Sequence, residues 1–137
     1  MDSFRIAVKA FVIKNRKLLI IRRSDNDVHK PGEWDIPGGR ISQEEDPLEG
    51  LRREVAEETG LNINILLPFS INHFTRDDKQ KITMIIFLCE AITGKIKLSA
   101  EHTEYRWISI DDEDSFPSWL KPVREAFLKY NLSQFSK

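Results

Sequence analysis

"GRISQEEDPLEGLRREVAEETGL", residues 39–61, combines one clear helix signal with a density of acid that an isolated helix would avoid. Asp46-Pro47 reads as the helix start, with Asp as N-cap and Pro at the first helical position. Gly60, after Thr59, reads as the stop, because glycine just past a helix end readily takes the left-handed conformation. The spacing predicts a helix over about 47–59. At ~100° per residue, Leu48, Leu51, Val55 and Thr59 fall on one side, and Glu54, Glu57 and Glu58 share the adjacent arc. Like charges at i,i+4 cost a few tenths of a kcal/mol per pair, so the crowding needs a cause.

Three readings compete. A solvated face balanced by Arg52 and Arg53 is the commonest fate of such residues. A general acid/base pair would draw its two carboxylates from separate elements facing each other across a substrate, which one stripe does not offer. A divalent-ion site would use the stripe as hard oxygen donors and relieve their repulsion. The local spacing leaves all three open.

Outward from the helix, the chain alternates strand and turn signals. "RIAVKAFVI" (5–13) and "LLIIR" (18–22), joined across "NRK", read as a hairpin. Residues 24–33, with Pro31-Gly32, read as an exposed loop, and Pro37-Gly38-Gly39 as a hard break. Downstream, "NINILLPFSINHF" and "KITMIIFLCEAI" read as two long strands and "TEYRWISI" as a shorter one. "FPSWLKPVREAFLKY" reads as a closing helix, with Trp119, Val123, Phe127 and Tyr130 at helical spacing and Pro122 in its first turn. The sum predicts an α+β fold, an α/β/α sandwich whose mixed sheet is flanked by helices, in one domain over 1–137.

With 137 residues, 21 basic and 22 acidic side chains and a net charge of −1, no global field points to nucleic acid or an anionic membrane. An anionic ligand must be held locally. The single Cys89 rules out an internal disulfide and reads as a core residue. No window approaches a membrane span. The expectation is a soluble, cytoplasmic protein.

The longer stretch breaks the tie among the three readings. Gly39, Glu45, Arg53, Glu54, Val55, Glu57, Glu58, Gly60 and Leu61 occupy every specified position of Gx5Ex7REUxEExGU, where U is a bulky aliphatic residue, so residues 39–61 resemble the Nudix box. "PGEWDIPGGR" before it and "RWISIDD" after it also look like the family, of which MutT is a member. The resemblance implies a hydrolase that cleaves a nucleoside diphosphate linked to another group by attack of water at phosphorus. It implies Mg²⁺, or Mn²⁺ in its place, on Glu54, Glu57 and Glu58, with the Gly38 carbonyl as a backbone ligand. Arg53 is expected to orient the carboxylates and Glu45 to pin the loop to the helix. Glu54 is the first candidate for general base; Glu101 is the second, or a ligand to a further ion.

Arg22, Arg23 and Arg40 are expected to meet phosphate, with only one of the first two facing the cleft because strand residues alternate. Phe11, Trp34, Phe74 and Phe87 are candidates to hold the base. A nucleoside triphosphate, ordinary or oxidised, is the first expected substrate, with ADP-ribose and nucleotide sugars next. A non-catalytic nucleotide sensor is the alternative from another class, although such a module would tend to lose box glutamates. A homodimer is compatible with the paired strands, and no nucleic-acid partner is expected.

Overall fold

Strands β1 (Phe4–Lys14) and β2 (Lys17–Arg23) form the expected hairpin, but they pair only beside their turn, Ile13 with Leu18 and Lys14 with Lys17. In this computed structural model, which describes residues 4–135, the turn residues Asn15 and Arg16 both have positive φ, 51° and 59°. That is the twist a two-residue hairpin requires. Beyond the turn the two strands part. β3 (Trp34–Asp35) and β4 (Gly38–Arg40) fill the wedge, β3 pairing with β2 and β4 with β1. The expected break at Pro37-Gly38-Gly39 is therefore brief: Ile36 and Pro37 separate β3 from β4, and both glycines lie in β4. Pro37 has no N–H to donate, and its carbonyl accepts from the Ala10 N–H at 2.8 Å.

The remaining elements are α1 (Pro47–Thr59), β5 (Asn62–Thr75), β6 (Lys81–Thr93), β7 (His102–Ser109) and α2 (Lys121–Lys129). The sheet runs β3-β2-β1-β6-β5, with β7 on the other edge of β2. β1 and β6 are parallel, and every other pairing is antiparallel. Alternation along β1 and β2 assigns the two faces. Phe11, Ile13, Leu18 and Ile20 pack with Val123 and Phe127 of α2, whereas Val8, Val12, Leu19 and Ile21 pack with Leu51 and Val55 of α1. The result is the α/β/α sandwich, a mixed sheet between two helices.

The closing helix is shorter than its apolar spacing suggests. Ser118–Leu120 form a 3₁₀ turn, α2 begins at Lys121 with Pro122 in its first turn, and Tyr130 lies past its end in solvent. Two aromatics expected near the ligand belong to the core instead. Phe11 is fully buried, edge-on to Phe69 at 5.3 Å and against Phe127 at 5.4 Å, because α2 covers that part of the sheet. Phe87 is buried on the opposite face with the α1 cluster. Among the described residues no helix is long and apolar enough to cross a membrane. The expected domain limits of 1–137 extend past the described residues at both ends.

Candidate active site

α1 is set by its caps. The Asp46 carboxylate accepts from the Glu49 N–H at 3.2 Å, and Gly60, at φ 77°, donates its N–H to the Ala56 carbonyl. With Leu51, Val55 and Thr59 buried, the 3.6-residue period turns Glu54 and Glu58 toward β4 and leaves Glu57 more exposed. Glu58 Oε1 accepts the Gly38 N–H at 2.7 Å. Glycine is required at 38: φ is 130°, and a Cβ there would stand 2.2 Å from the Val8 carbonyl oxygen. A Cβ on Gly39 would sit 3.4 Å from Glu54 Oε2, an ordinary contact, so this stretch of backbone lies directly against both carboxylates.

The charge crowding is answered first by Arg53. Its guanidinium grips Glu45 through two bonds, at 2.7 and 3.0 Å, and reaches Glu54 at 3.2 Å and Glu57 at 3.1 Å. The hydrogen bonds to Glu45 lead in raising the Arg53 pKa above its ordinary value, and the same contact lowers that of Glu45. Glu45 thus ties the preceding loop to the helix. Arg53 does not line the cavity; its contacts are with the carboxylates.

The inner carboxylates keep a deficit that Arg53 does not cover. Burial pushes Glu58 up to about 7, against the pull of Lys9 and the Gly38 N–H, and Glu54 and Asp35 add to the rise. Burial also raises Glu54, despite Arg53. Among the described residues, no three acidic, histidine or cysteine side chains surround one point at ligand spacing, and Glu57 is bonded to Arg53 at 3.1 Å. Glu54 and Glu58 nonetheless suit a hard divalent ion, since both are oxygen donors whose charge is poorly solvated. The Gly38 carbonyl, expected as a ligand, accepts from Lys9 Nζ at 3.3 Å and keeps a second lone pair.

Lys9 is a site residue that the sequence reading missed. It is buried on the central strand, and its ammonium also reaches Asp35 Oδ2 at 3.1 Å and the Ile36 carbonyl at 3.2 Å. Asp35 is bound in turn by Arg23, at 2.6 and 3.0 Å. Burial alone would raise the Asp35 carboxyl, but the two cations outweigh it and hold it at about 2. The detectable signal was a lysine on the inward-facing parity of an otherwise apolar strand, between Ala7 and Phe11.

These groups line a cavity of about 440 Å³, within the ~300–1,000 Å³ of typical ligand pockets. Gly38, Glu54, Glu57 and Glu58 form one wall, Arg23, Arg40 and Arg76 bring cations to it, and Glu101 and Phe74 also reach it. His102 lines it too, and among the described residues its buried Nδ1 has no hydrogen-bond partner; burial lowers this imidazole to about 4, which keeps it neutral.

Two further expectations are corrected. Arg22 lies off the cavity, bonded to Asp25 at 3.1 Å and Thr103 at 3.2 Å, while the register shift after it turns Arg23 inward. Trp34 is likewise off the cavity, its ring under the Arg106 guanidinium at 4.6 Å and its carbonyl accepting from Trp119.

Acidic donors beneath a cationic rim suit a polyanion joined to the protein through a metal cation. The NUDIX domain signature matches residues 3–129, and the chain belongs to the Nudix family. A MutT-like protein of Streptomyces ambofaciens is 31% identical over 108 residues, 78% of this chain and 65% of that one. Nucleoside triphosphatase NudI of Escherichia coli K12 is 31% identical over 104 residues, 69% of this chain and 74% of that one. The crystal structure of the MutT protein from Methanosarcina mazei Go1 matches with a TM-score of 0.84 at 30% identity, covering 95% of this chain and 96% of that one. Two longer Arabidopsis thaliana relatives, Nudix hydrolases 6 and 5, are spanned over only 41% and 43% of their lengths.

Proposed function

We propose that the chain is a divalent-cation-dependent pyrophosphohydrolase that converts a nucleoside triphosphate, ordinary or oxidised, to the monophosphate and pyrophosphate. The observation that carries this reading is the pair Glu54 and Glu58, the first half-buried and the second buried, set against Gly38-Gly39 beneath a cationic rim. Similarity to a protein named nucleoside triphosphatase supports the substrate class.

Glu54 and Glu58, with Glu57 released from Arg53 and the Gly38 carbonyl, would hold Mg²⁺ or Mn²⁺. When bound, such an ion neutralises phosphate oxygens and lowers the pKa of a coordinated water. The protein's own groups do the rest. Arg23 and Arg40 take up remaining phosphate charge, and Arg53, anchored by Glu45, orients Glu54. In the reaction, a water oxygen bonds to phosphorus, the bridging P–O bond breaks, pyrophosphate leaves, and the water's proton passes to Glu54. Glu101, across the cavity, is the second candidate for that proton.

A phosphate-release screen tests the reading. Nucleoside triphosphates, oxidised nucleotides, nucleotide sugars and dinucleotides are compared with Mg²⁺ and Mn²⁺. Turnover of triphosphates that vanishes with EDTA supports it; activity that persists without metal, or on no member of the panel, overturns it. Glu54→Gln and Glu101→Gln then separate the bases, since the true base loses the alkaline-rising limb of the pH–rate profile.

A further inference from the structure

Next to the carboxylates lies a side chamber of about 320 Å³ walled by Lys30, Asn72, Phe74, Met84 and Trp119. Its floor follows from strand register. Asn72 stands opposite Met84 and Phe74 opposite Ile82 on the β5–β6 ladder, at alternate positions that share one face. Trp119 comes from the turn before α2 and is fixed by its Nε1 bond to the Trp34 carbonyl at 3.2 Å. Lys30, Phe74 and Met84 line the main cavity as well, so the chamber adjoins it.

Lys30 enters from the β2–β3 loop, which is tied down twice. Asp27 Oδ1 accepts the N–H groups of His29 at 3.0 Å and Lys30 at 2.8 Å, and the His29 ring meets Asp77 on the β5–β6 turn at 2.7 Å. Lys30 is half-buried, and its ammonium stands 5.7 Å from the Phe74 ring centre and 5.9 Å from that of Trp119. Among the described residues it makes no hydrogen bond, and neither does the Asn72 amide. Two aromatic walls and a thioether suit a planar heteroaromatic group. Its edge would then meet an ammonium, which can only donate.

Resting on the nucleotide reading above, we infer that this chamber takes the nucleobase and that Lys30 selects bases presenting a carbonyl oxygen over those presenting an amino group. Guanine and hypoxanthine carry an acceptor at O6, whereas adenine carries an amino donor there. An ammonium pairs with the first and leaves the second unpaired, a mismatch that a site built around a hydrogen bond penalises.

Inosine and adenosine nucleotides isolate that one edge. Wild-type kcat/KM is expected to favour ITP over ATP by about tenfold, mostly through KM, the effect of one charge-assisted hydrogen bond at a partly exposed site. Lys30→Met should bring the ratio close to one, and Lys30→Arg, still donor-only, should preserve it. A wild-type ratio at or below one overturns the inference. So does a Lys30→Met variant that loses both activities equally, since Lys30 would then hold phosphate.

A second arm needs neither metal nor turnover. Inosine and adenosine are titrated in EDTA while the Trp119 indole N–H resonance, assigned with Trp119→Phe, is followed by NMR. Tighter binding of inosine, lost in Lys30→Met, supports the inference even if no nucleotide is hydrolysed. Equal shifts, or none, overturn it even if hydrolysis proceeds.

Discussion

Glu58→Gln in metal-free protein removes a charge that the fold buries, and its effect on stability has a calculable pH dependence. The Glu58 carboxyl lies at about 7 in the folded chain against an ordinary 4.5, a gap of about 2.5 pH units. At 1.36 kcal/mol per unit, ionised Glu58 costs the folded state up to ~3 kcal/mol. Because the folded value is the higher one, the native state binds more protons between these limits, and wild-type stability falls as pH rises from about 4.5 to about 7. Glutamine has no such proton and keeps an oxygen for the Gly38 N–H. Urea unfolding in EDTA, followed by tryptophan fluorescence from about pH 4.5 to 8.5, should show the variant gaining on wild type across that window by ~2–3 kcal/mol and then levelling. Saturating Mg²⁺ should shrink or reverse the gain. Parallel stability curves for the two proteins in EDTA would show that the Glu58 charge is well solvated and would remove the reason for a cation there.

Other substitutions separate chemistry from packing. Glu57→Gln should cut turnover by orders of magnitude with little change in unfolding free energy, because its side chain is 59% exposed; steady-state kinetics and urea melts check both. Phe11→Ala should cost ~3–5 kcal/mol of stability, since the ring is fully buried between Phe69 and Phe127; a loss under ~1 kcal/mol in a urea melt would contradict that placement. Lys9→Met should cost about 3 kcal/mol, the low end for breaking a buried pair, because Arg23 still holds Asp35. Removal of metal with EDTA should stop turnover while far-UV circular dichroism and the cooperative melt persist, as the sheet builds the core without an ion.

Much of the helix side of the site was legible because its signals are local. Asp46-Pro47 and Gly60 set both ends of α1, and the 3.6-residue period fixed which glutamates share an arc. The split between β1 and β2 was not, because the punctuation at Pro37-Gly38-Gly39 reads as a break, and pairing with β1 is a long-range property. Phe11 and Phe74 are the same residue type on similar strands. What separates them is how far α2 reaches over the sheet, which covers Phe11 and leaves Phe74 on the cavity. Alternation lets one of Arg22 and Arg23 face inward, and the register shift after Arg22, a three-dimensional feature, goes with Arg23 as the one that lines the cavity. Lys9 is readable in principle, as a charge at an inward position, but the apolar strand around it masks the signal.

Direct titration of Mn²⁺, followed by electron paramagnetic resonance, bears most closely on the acidic wall of α1. Wild-type protein should bind the ion, and the Glu54→Gln, Glu58→Gln double variant, folded by circular dichroism, should lose at least a hundredfold in affinity, roughly the effect of removing two charged ligands. Equal binding by the two proteins would place the metal elsewhere and take the proposed hydrolytic centre with it.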